Sequence, residues 1–328
     1  MKKIAIIIGT LFVFITMGSH AVAKTTLKLA TITPDHHAYG QGAREFARLV
    51  KERTNGEVVV KVYTGGQLGK GERELLESMQ LGLTDLAITA TGPVSNFSQE
   101  MGVVDLPFLF TSNAHADRHL DGDVGDDLMK SLEKNGIKGL AFFENGFRNF
   151  TSKNTPLLTP EDFKGLKFRT MENPVHLKSV RQLGAKAVPM SWSEVYTSMQ
   201  TGVIDGHENS IGIIYAFKIN EVQKKLSMTG HFYSPAPLTM SLRKFNKLTP
   251  EHQDIVLQAA KDAAVFERKI IRENERKELK QLEAGGMEIS YPDKAPFMEA
   301  MQPVYDYYAD KYPSWKGILE RIQADKNQ

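Results

Sequence analysis

Polar and apolar residues alternate with period two over Thr25-Thr26-Leu27-Lys28-Leu29-Ala30, the pattern of a strand. From about Gly40 to Arg53 the period changes to that of a helix, with Ala43, Phe46, Ala47 and Val50 on one face, and Asn55-Gly56 closes it. Val58 to Tyr63 is a β-branched second strand. Gly65-Gly66 turns the chain, Glu72 to Leu81 is helical, and Leu86 to Thr91 is a third strand. This β-α-β-α-β opening predicts a parallel sheet covered by helices.

The pattern then recurs. A charged helix from Val124 to Asn135 leads to a strand from Gly139 to Glu144. Thr159-Pro160-Glu161 is a helix start with Thr as cap and Pro at the first position. Lys167 to Thr170 reads as a strand, Pro174 to Leu183 as a helix and Ala185 to Val188 as a strand. Ser191-Trp192-Ser193-Glu194 is a capping box that opens a further helix. No Pro/Ser-rich linker separates the halves, so two α/β lobes joined by ordered crossings are expected. After Thr249-Pro250-Glu251 no Pro or Gly occurs until Gly285-Gly286, which predicts one helix of roughly 50 Å, long enough to run across both lobes. Its last third, Arg272 to Glu283, is highly charged and reads as solvated.

Composition narrows the classes. The 328 residues carry 41 Lys plus Arg against 39 Asp plus Glu and no Cys. Without thiols there is no disulfide scaffold, iron–sulfur cluster or cysteine nucleophile. The balanced charge argues against nucleic-acid binding. Met1-Lys2-Lys3, the apolar run Ile4 to Met17 and Ala21-Val22-Ala23 together form a Sec-type leader, with cleavage expected after Ala23. The run is too short to span a bilayer, and no later stretch approaches that length. Loss of Lys2 and Lys3 leaves a chain with equal numbers of basic and acidic residues, exported and most simply periplasmic.

Enzyme motifs fail on inspection. Ser131-Leu132-Glu133-Lys134 lacks the partner motifs of its class. Gly65 to Gly71 lacks the hydroxyl after Lys70 that a P-loop needs, and reads as a turn. His115 and His119 are four apart but lack the Glu of H-E-x-x-H, so a solvated helix face is expected. His36-His37 sits in a loop after the first strand, where either a ligand or a plain polar loop fits.

Three features look like site chemistry. Asn145-Gly146-Phe147-Arg148-Asn149 follows a buried strand, where open α/β sheets line their ligand crevice. Arg169 lies inside a short strand and is costly to bury unless an anion pairs with it. Asp205-Gly206-His207-Glu208-Asn209 is polar yet follows a helix. Two guanidinium forks converging on one cleft would suit a carboxylate. A structural salt bridge at either Arg is the alternative.

The runs Gly165-Leu166-Lys167-Phe168-Arg169, Pro189-Met190-Ser191-Trp192-Ser193-Glu194-Val195-Tyr196 and Gln200-Thr201-Gly202-Val203-Ile204-Asp205-Gly206-His207-Glu208-Asn209 resemble the TRAP (tripartite ATP-independent periplasmic) transporter solute-binding proteins of the DctP type. Gln67-Leu68-Gly69, Asp105-Leu106-Pro107-Phe108-Leu109-Phe110 and Glu221-Val222-Gln223-Lys224 extend the likeness over almost the whole exported chain. The resemblance implies an α/β fold of two lobes with a ligand cleft between them and a long helix bracing both. It implies residues 24–147 as one lobe, to which about 235–265 return, and 148–234 as the other, with about 266–328. It implies an organic acid delivered to a small and a large membrane permease subunit, no cofactor or metal, and a monomer. The family's main carboxylate-binding Arg falls on Arg169, a second ligand-facing Arg on Arg148, its cleft Asn on Asn209 and its aromatic on Trp192. The loop holding His37 and the loop ending at Asn96 touch ligands in the family. Glu72, Glu172, Asn173, Tyr196 and His231 fall where residues vary with ligand. The usual Gly-Gln-Glu-Asn-Pro is altered here by His207 and Ser210.

Thr89 to Asn96 and Glu144 to Thr151 look like the branch of the family that takes sugar acids. A C4-dicarboxylate would need a second cation, a part Arg148 could play. A sensory rather than transport role, and a lyase or isomerase with His207 or Glu172 as base, are the remaining alternatives.

Overall fold

The computed structural model describes residues 24–324 and 326. The expected leader lies outside them. β1 (Thr25–Ala30), α1 (Ala38–Arg53), β2 (Val58–Tyr63), α2 (Glu72–Leu81) and β3 (Leu86–Ile88) form the expected opening, with β1 parallel to both β2 and β3. β3 stops earlier than its apolar run suggests, because Thr91–Val94 already coils into α3. Next come α4 (Asn113–Leu120), α5 (Asp123–Ser131) and β4 (Ile137–Ser152), then β5 (Lys167–Thr170), α6 (Pro174–Gln182) and β6 (Lys186–Pro189). α7 (Trp192–Thr201), β7 (Gly206–Asn209) and α8 (Ile211–Ala216) lead into β8 (Lys225–Ser241). α9 (Leu242–Phe245) and α10 (Pro250–Ala284) follow, then β9 (Glu288–Ser290), α11 (Ala295–Ala300), α12 (Gln302–Lys311) and α13 (Trp315–Gln323).

The two α/β units share one sheet, in the order β2-β1-β3-β8-β4-β7-β5-β6. β4 and β8 are antiparallel, 16 and 17 residues long, and pass through the middle of the sheet. The sheet is therefore mixed rather than parallel throughout. Its order is symmetric about the β8–β4 pair, and the sequence repeats with it. Met79-Gln80-Leu81-Gly82-Leu83-Thr84-Asp85 matches Met199-Gln200-Thr201-Gly202-Val203-Ile204-Asp205. Both glycines sit at positive φ, where a side chain would be strained. Asp85 accepts the Lys28 backbone N–H at 2.8 Å, and Asp205 accepts that of Lys167 at 2.7 Å. Each Asp thus ties a strand entry to the strand beside it.

α10 is the expected long helix, 35 residues capped by the Thr249 side chain. Val256, Ala260 and Ala264 belong to one apolar core with Phe46, Phe143 and Leu238; Leu282 belongs to another with Val195, Ile214 and Leu226. One helix is thereby pinned to both ends of the sheet. Its charged part is not simply solvated. Arg268 is buried against Asp121 and Asp117, and Arg272 reaches Asp117 and the buried Glu144. His115 is likewise buried rather than solvated: its Nε2 lies 2.8 Å from the Ile322 carbonyl, docking the C-terminal helices. The capping box at Ser191 does not form, since its side chain accepts no bond from the helix. Thr159-Pro160 opens only a 3₁₀ turn, closed by Asp162. Among the described residues no helix is long and apolar enough to cross a membrane.

α1 approaches α10 through Gly42. A Cβ there would stand 2.7 Å from the Phe143 ring and 2.8 Å from the Glu267 Cβ. Gly42→Ala should cost about 1–3 kcal/mol of stability, read as a lowered urea midpoint at unchanged slope. An unchanged midpoint would show that the two helices separate freely here.

Candidate functional site

The parallel strands carry the site at their C-terminal ends, where open α/β sheets leave a crevice. Thr33 follows β1, Ala90 follows β3, Arg169 sits near the end of β5, Trp192 follows β6 and Asn209 ends β7. Together with Tyr39, Arg148 and Met171 they enclose an inner cavity of about 30 Å³. It adjoins an outer one of about 210 Å³, where Glu72, Arg169, Met171 and Trp192 continue and Arg73, Glu172 and Met190 join them.

Arg169 is 4 % exposed. Its Nε and Nη2 both donate to the Met190 carbonyl, at 3.0 and 2.9 Å. Its guanidinium lies 5.5 Å from the Trp192 ring centroid, a cation–π contact. Among the described residues no carboxylate pairs with it and Nη1 donates to nothing. Loss of solvation lowers its pKa to about 10. A buried cation with a free donor beside a cavity is an incomplete ion pair.

Arg148 is engaged differently. It forms a two-pronged pair with the buried Glu208, the Nε–Oε2 contact being very short and Nη2–Oε1 2.9 Å. Nη2 also donates to the Glu208 carbonyl at 2.7 Å, and Nη1 to Asn209 Oδ1 at 2.8 Å. β4 and β7 are antiparallel neighbours here, with Phe150 opposite Glu208 and Asn149 opposite Asn209, which is how both partners reach one guanidinium. The structural salt bridge weighed from sequence is therefore real at Arg148. His176 lies 3.6 Å from Glu208 and 3.8 Å from Asp105; His231 lies 3.7 Å from Glu208. Burial pushes the Glu208 pKa up, but Arg148, then His176 and His231, outweigh it and hold the carboxyl well below its usual range. Burial lowers the His231 pKa to about 4.

Asn209 Oδ1 accepts from Arg148, from Ser210 N–H at 3.0 Å and from Asn145 at 3.3 Å. That fixes the amide so that its NH₂ has no partner among the described residues. Glu72 Oε1 accepts the Ala90 N–H at 2.8 Å. Burial raises its pKa, against the pull of that N–H and of Arg169 and Arg148. The Tyr39 hydroxyl is buried without a partner on the cavity wall.

Arg169, Arg148, Asn209, Trp192 and Glu72 thus meet at one cavity, and Glu172 stands at its mouth, 3.4 Å from Arg73. The other expected residues do not line it. His37 is turned inward and caps α1 by accepting the Tyr39 N–H. Asn96 donates to the Glu172 carbonyl at 2.7 Å. Asn173 is wholly buried, caps α6 and donates to Asp105 at 2.7 Å. Tyr196 donates to Glu221 at 2.7 Å, away from the cleft. His231 stacks on Phe150 behind Arg148. His207 is buried against Thr151 and does not line the cavity. Sequence reasoning placed Asn145, Glu208 and Tyr39 within segments it marked but gave none of them a part of its own, and it passed over Met171. Glu208 was accessible through strand alternation: it points opposite to His207 and Asn209 on β7.

Comparison with known proteins gives this geometry its family. The model of bacterial extracellular solute-binding protein family 7, DctP, matches residues 29–311. The chain belongs to the DctP family of TRAP solute-binding proteins. It is 34% identical over 307 residues to the 2,3-diketo-L-gulonate-binding periplasmic protein of Escherichia coli, covering 93% of both chains. A TRAP periplasmic solute-binding protein from Polaromonas sp., solved with bound D-erythronate, superposes with a TM-score of 0.88 at 39% identity, over 93% of this chain and 99% of that one. One from Sulfitobacter sp., solved with bound β-D-galacturonate, gives 0.88 at 34%, over 92% and 100%. The two-lobed fold and the substrate-binding role in a TRAP transporter follow from membership, as does an extracytoplasmic, periplasmic setting.

Proposed function

We propose that the chain captures a sugar acid of the aldonate or hexuronate type, with one carboxylate, and releases it unchanged to its permease subunits. The observation that carries this is the incomplete ion pair at Arg169. A ligand carboxylate there supplies the missing anion, and the closing lobes exclude water and strengthen the pair. The solved relatives with erythronate and galacturonate support the same class.

The remaining polar groups favour hydroxyls over a second carboxylate. Arg148 is already neutralised by Glu208, so it is no free counter-ion for a dicarboxylate. Glu72 presents an acceptor, Asn209 a free amide and Tyr39 an unpartnered hydroxyl. Trp192 offers an apolar face to a carbon skeleton. Of the two bases weighed from sequence, His207 is shut away from the cavity and held neutral by burial, its pKa near 3, and Glu172 pairs with Arg73, which supports release without turnover. The leader pattern supports export with cleavage after Ala23, and the lobe boundaries near residues 147 and 234 fall within β4 and β8, the strands that pass through the middle of the sheet. A monomer delivering to a small and a large permease subunit is the simplest arrangement.

Calorimetric titration of the refolded, ligand-free protein tests the class. D-erythronate or D-glucuronate should bind near micromolar, about −8 kcal/mol, and be recovered chemically unchanged. Succinate binding alone would overturn the sugar-acid assignment, and an altered product would establish an enzyme.

Glu72 should enforce this choice. Glu72→Gln removes the negative charge while keeping the contact to Ala90 N–H. The expected result is a gain in succinate affinity of about tenfold, with a loss for the sugar acid, shown by competition titration. Equal changes for both ligands would make Glu72 merely structural.

A further inference from the structure

Behind the inner wall of the cleft, two buried polar atoms have no partner. His37 Nδ1 accepts the Tyr39 N–H at 3.2 Å, which leaves the ring proton on Nε2, and Nε2 donates to nothing. Glu278, on the far part of α10, has its Oε2 buried and equally unpaired. Both flank Gly212 on α8: a Cβ there would stand 3.3 Å from His37 Nε2 and 3.6 Å from Glu278 Oε2. The missing side chain leaves the room between them. A buried donor and acceptor beside one gap are the fittings of a structural water. Tyr39 follows His37 by two residues and Ile213 follows Gly212 directly, and both line the cavity.

We propose that His37 and Glu278 are positioning residues of the cleft: they share one water behind Gly212, and this clamp sets Tyr39 and Ile213 against the ligand. The proposal rests on the cleft being the acid-binding site. Burial lowers the His37 pKa to about 3, with His36 adding to it, so the ring is a neutral donor throughout. Burial, and then Glu275, raise the Glu278 pKa to about 7, against Lys277. α8 carries Tyr215 as its one titratable residue, α1 places Tyr39 against His37, and Glu275 and Lys277 act on Glu278 along α10. The acceptor is therefore a carboxylate above neutrality and a weaker, protonated acid below it, so the clamp tightens as pH rises.

The test is a double-variant cycle with H37N, E278Q and both together, at pH 5.5 and 8.5. Asn at position 37 still caps α1 but is too short to present Nε2. H37N should lower Tm at pH 8.5 by about 2–4 °C more than at pH 5.5. That pH-dependent loss should vanish in the E278Q background. At pH 8.5 each single variant should release D-glucuronate at least about threefold faster than the parent protein, with no further gain in the double variant. Additive, pH-independent losses of Tm would reduce His37 to a helix cap and overturn the clamp. A coupled Tm with unchanged release rates would overturn its role in the cleft. Failure of D-glucuronate to bind the parent protein would count against the ligand class, and the Tm cycle would still decide whether the clamp exists.

Discussion

Arg169→Ala is expected to abolish acid binding while leaving the fold intact. A ligand carboxylate buried without its cation loses at least about 2–5 kcal/mol, roughly 30-fold to several-thousand-fold in affinity. The ligand-free protein should not suffer, because Arg169 is buried without a carboxylate and gives up only its bonds to the Met190 carbonyl and its contact with the Trp192 ring. Removing an uncompensated buried cation relieves a desolvation cost, so Tm should hold or rise. Arg169→Lys should bind poorly as well, since an ammonium cannot hold Met190 O and a carboxylate in one plane. Titration of both variants, alongside thermal melts, reads the two halves separately. Affinity near that of the parent protein in Arg169→Ala would remove Arg169 from the site.

Glu208→Ala should behave in the opposite way, with a large loss of stability. It strands Arg148 as a buried cation, and breaking such a pair costs about 3–5 kcal/mol. Urea denaturation should show that loss in the stability extrapolated to water, with the midpoint falling by the loss divided by the slope. The linkage with pH has a definite sign. Glu208 titrates well below its ordinary value in the folded protein, so its contribution is complete above pH 4.5, the unperturbed value, and is lost as pH falls toward the folded pKa. Acid unfolding should thus be shallower in the variant than in the parent protein. A variant as stable as its parent would mean that Arg148 escapes to solvent and that its pairing does not shape the cleft.

The two arginines show what the sequence can and cannot convey. Each is an isolated Arg within a strand, Arg148 in β4 and Arg169 in β5, and residue type alone treats them alike. The register of β4 against β7 decides that Arg148 meets Glu208, and no local pattern of Phe147 to Phe150 contains that pairing. Arg169 could be picked out because its strand is short and its parallel neighbours are readable, down to the Lys186–Pro189 partner. Loop positions were the least legible. His37, Asn96 and Asn173 are polar residues beside the cleft, but each spends its side chain on backbone groups or a cap, which depends on loop conformation rather than composition. The long strand β8 carries Pro235 and Pro237 and no clean alternation, so periodicity did not reveal it; it is buried on both faces in the middle of the sheet. The duplicated Met-Gln-x-Gly segments, by contrast, stand openly in the chain and mark the symmetry of the sheet.

The most direct measurement is a crystal structure with the tightest-binding sugar acid. The expected result is a carboxylate completing the Arg169 guanidinium, with hydroxyls on Glu72 and the Asn209 amide, Trp192 against the carbon skeleton and the Arg148–Glu208 pair unbroken. A ligand whose carboxylate sits elsewhere, with Arg169 still bonded only to the Met190 carbonyl, would contradict the account.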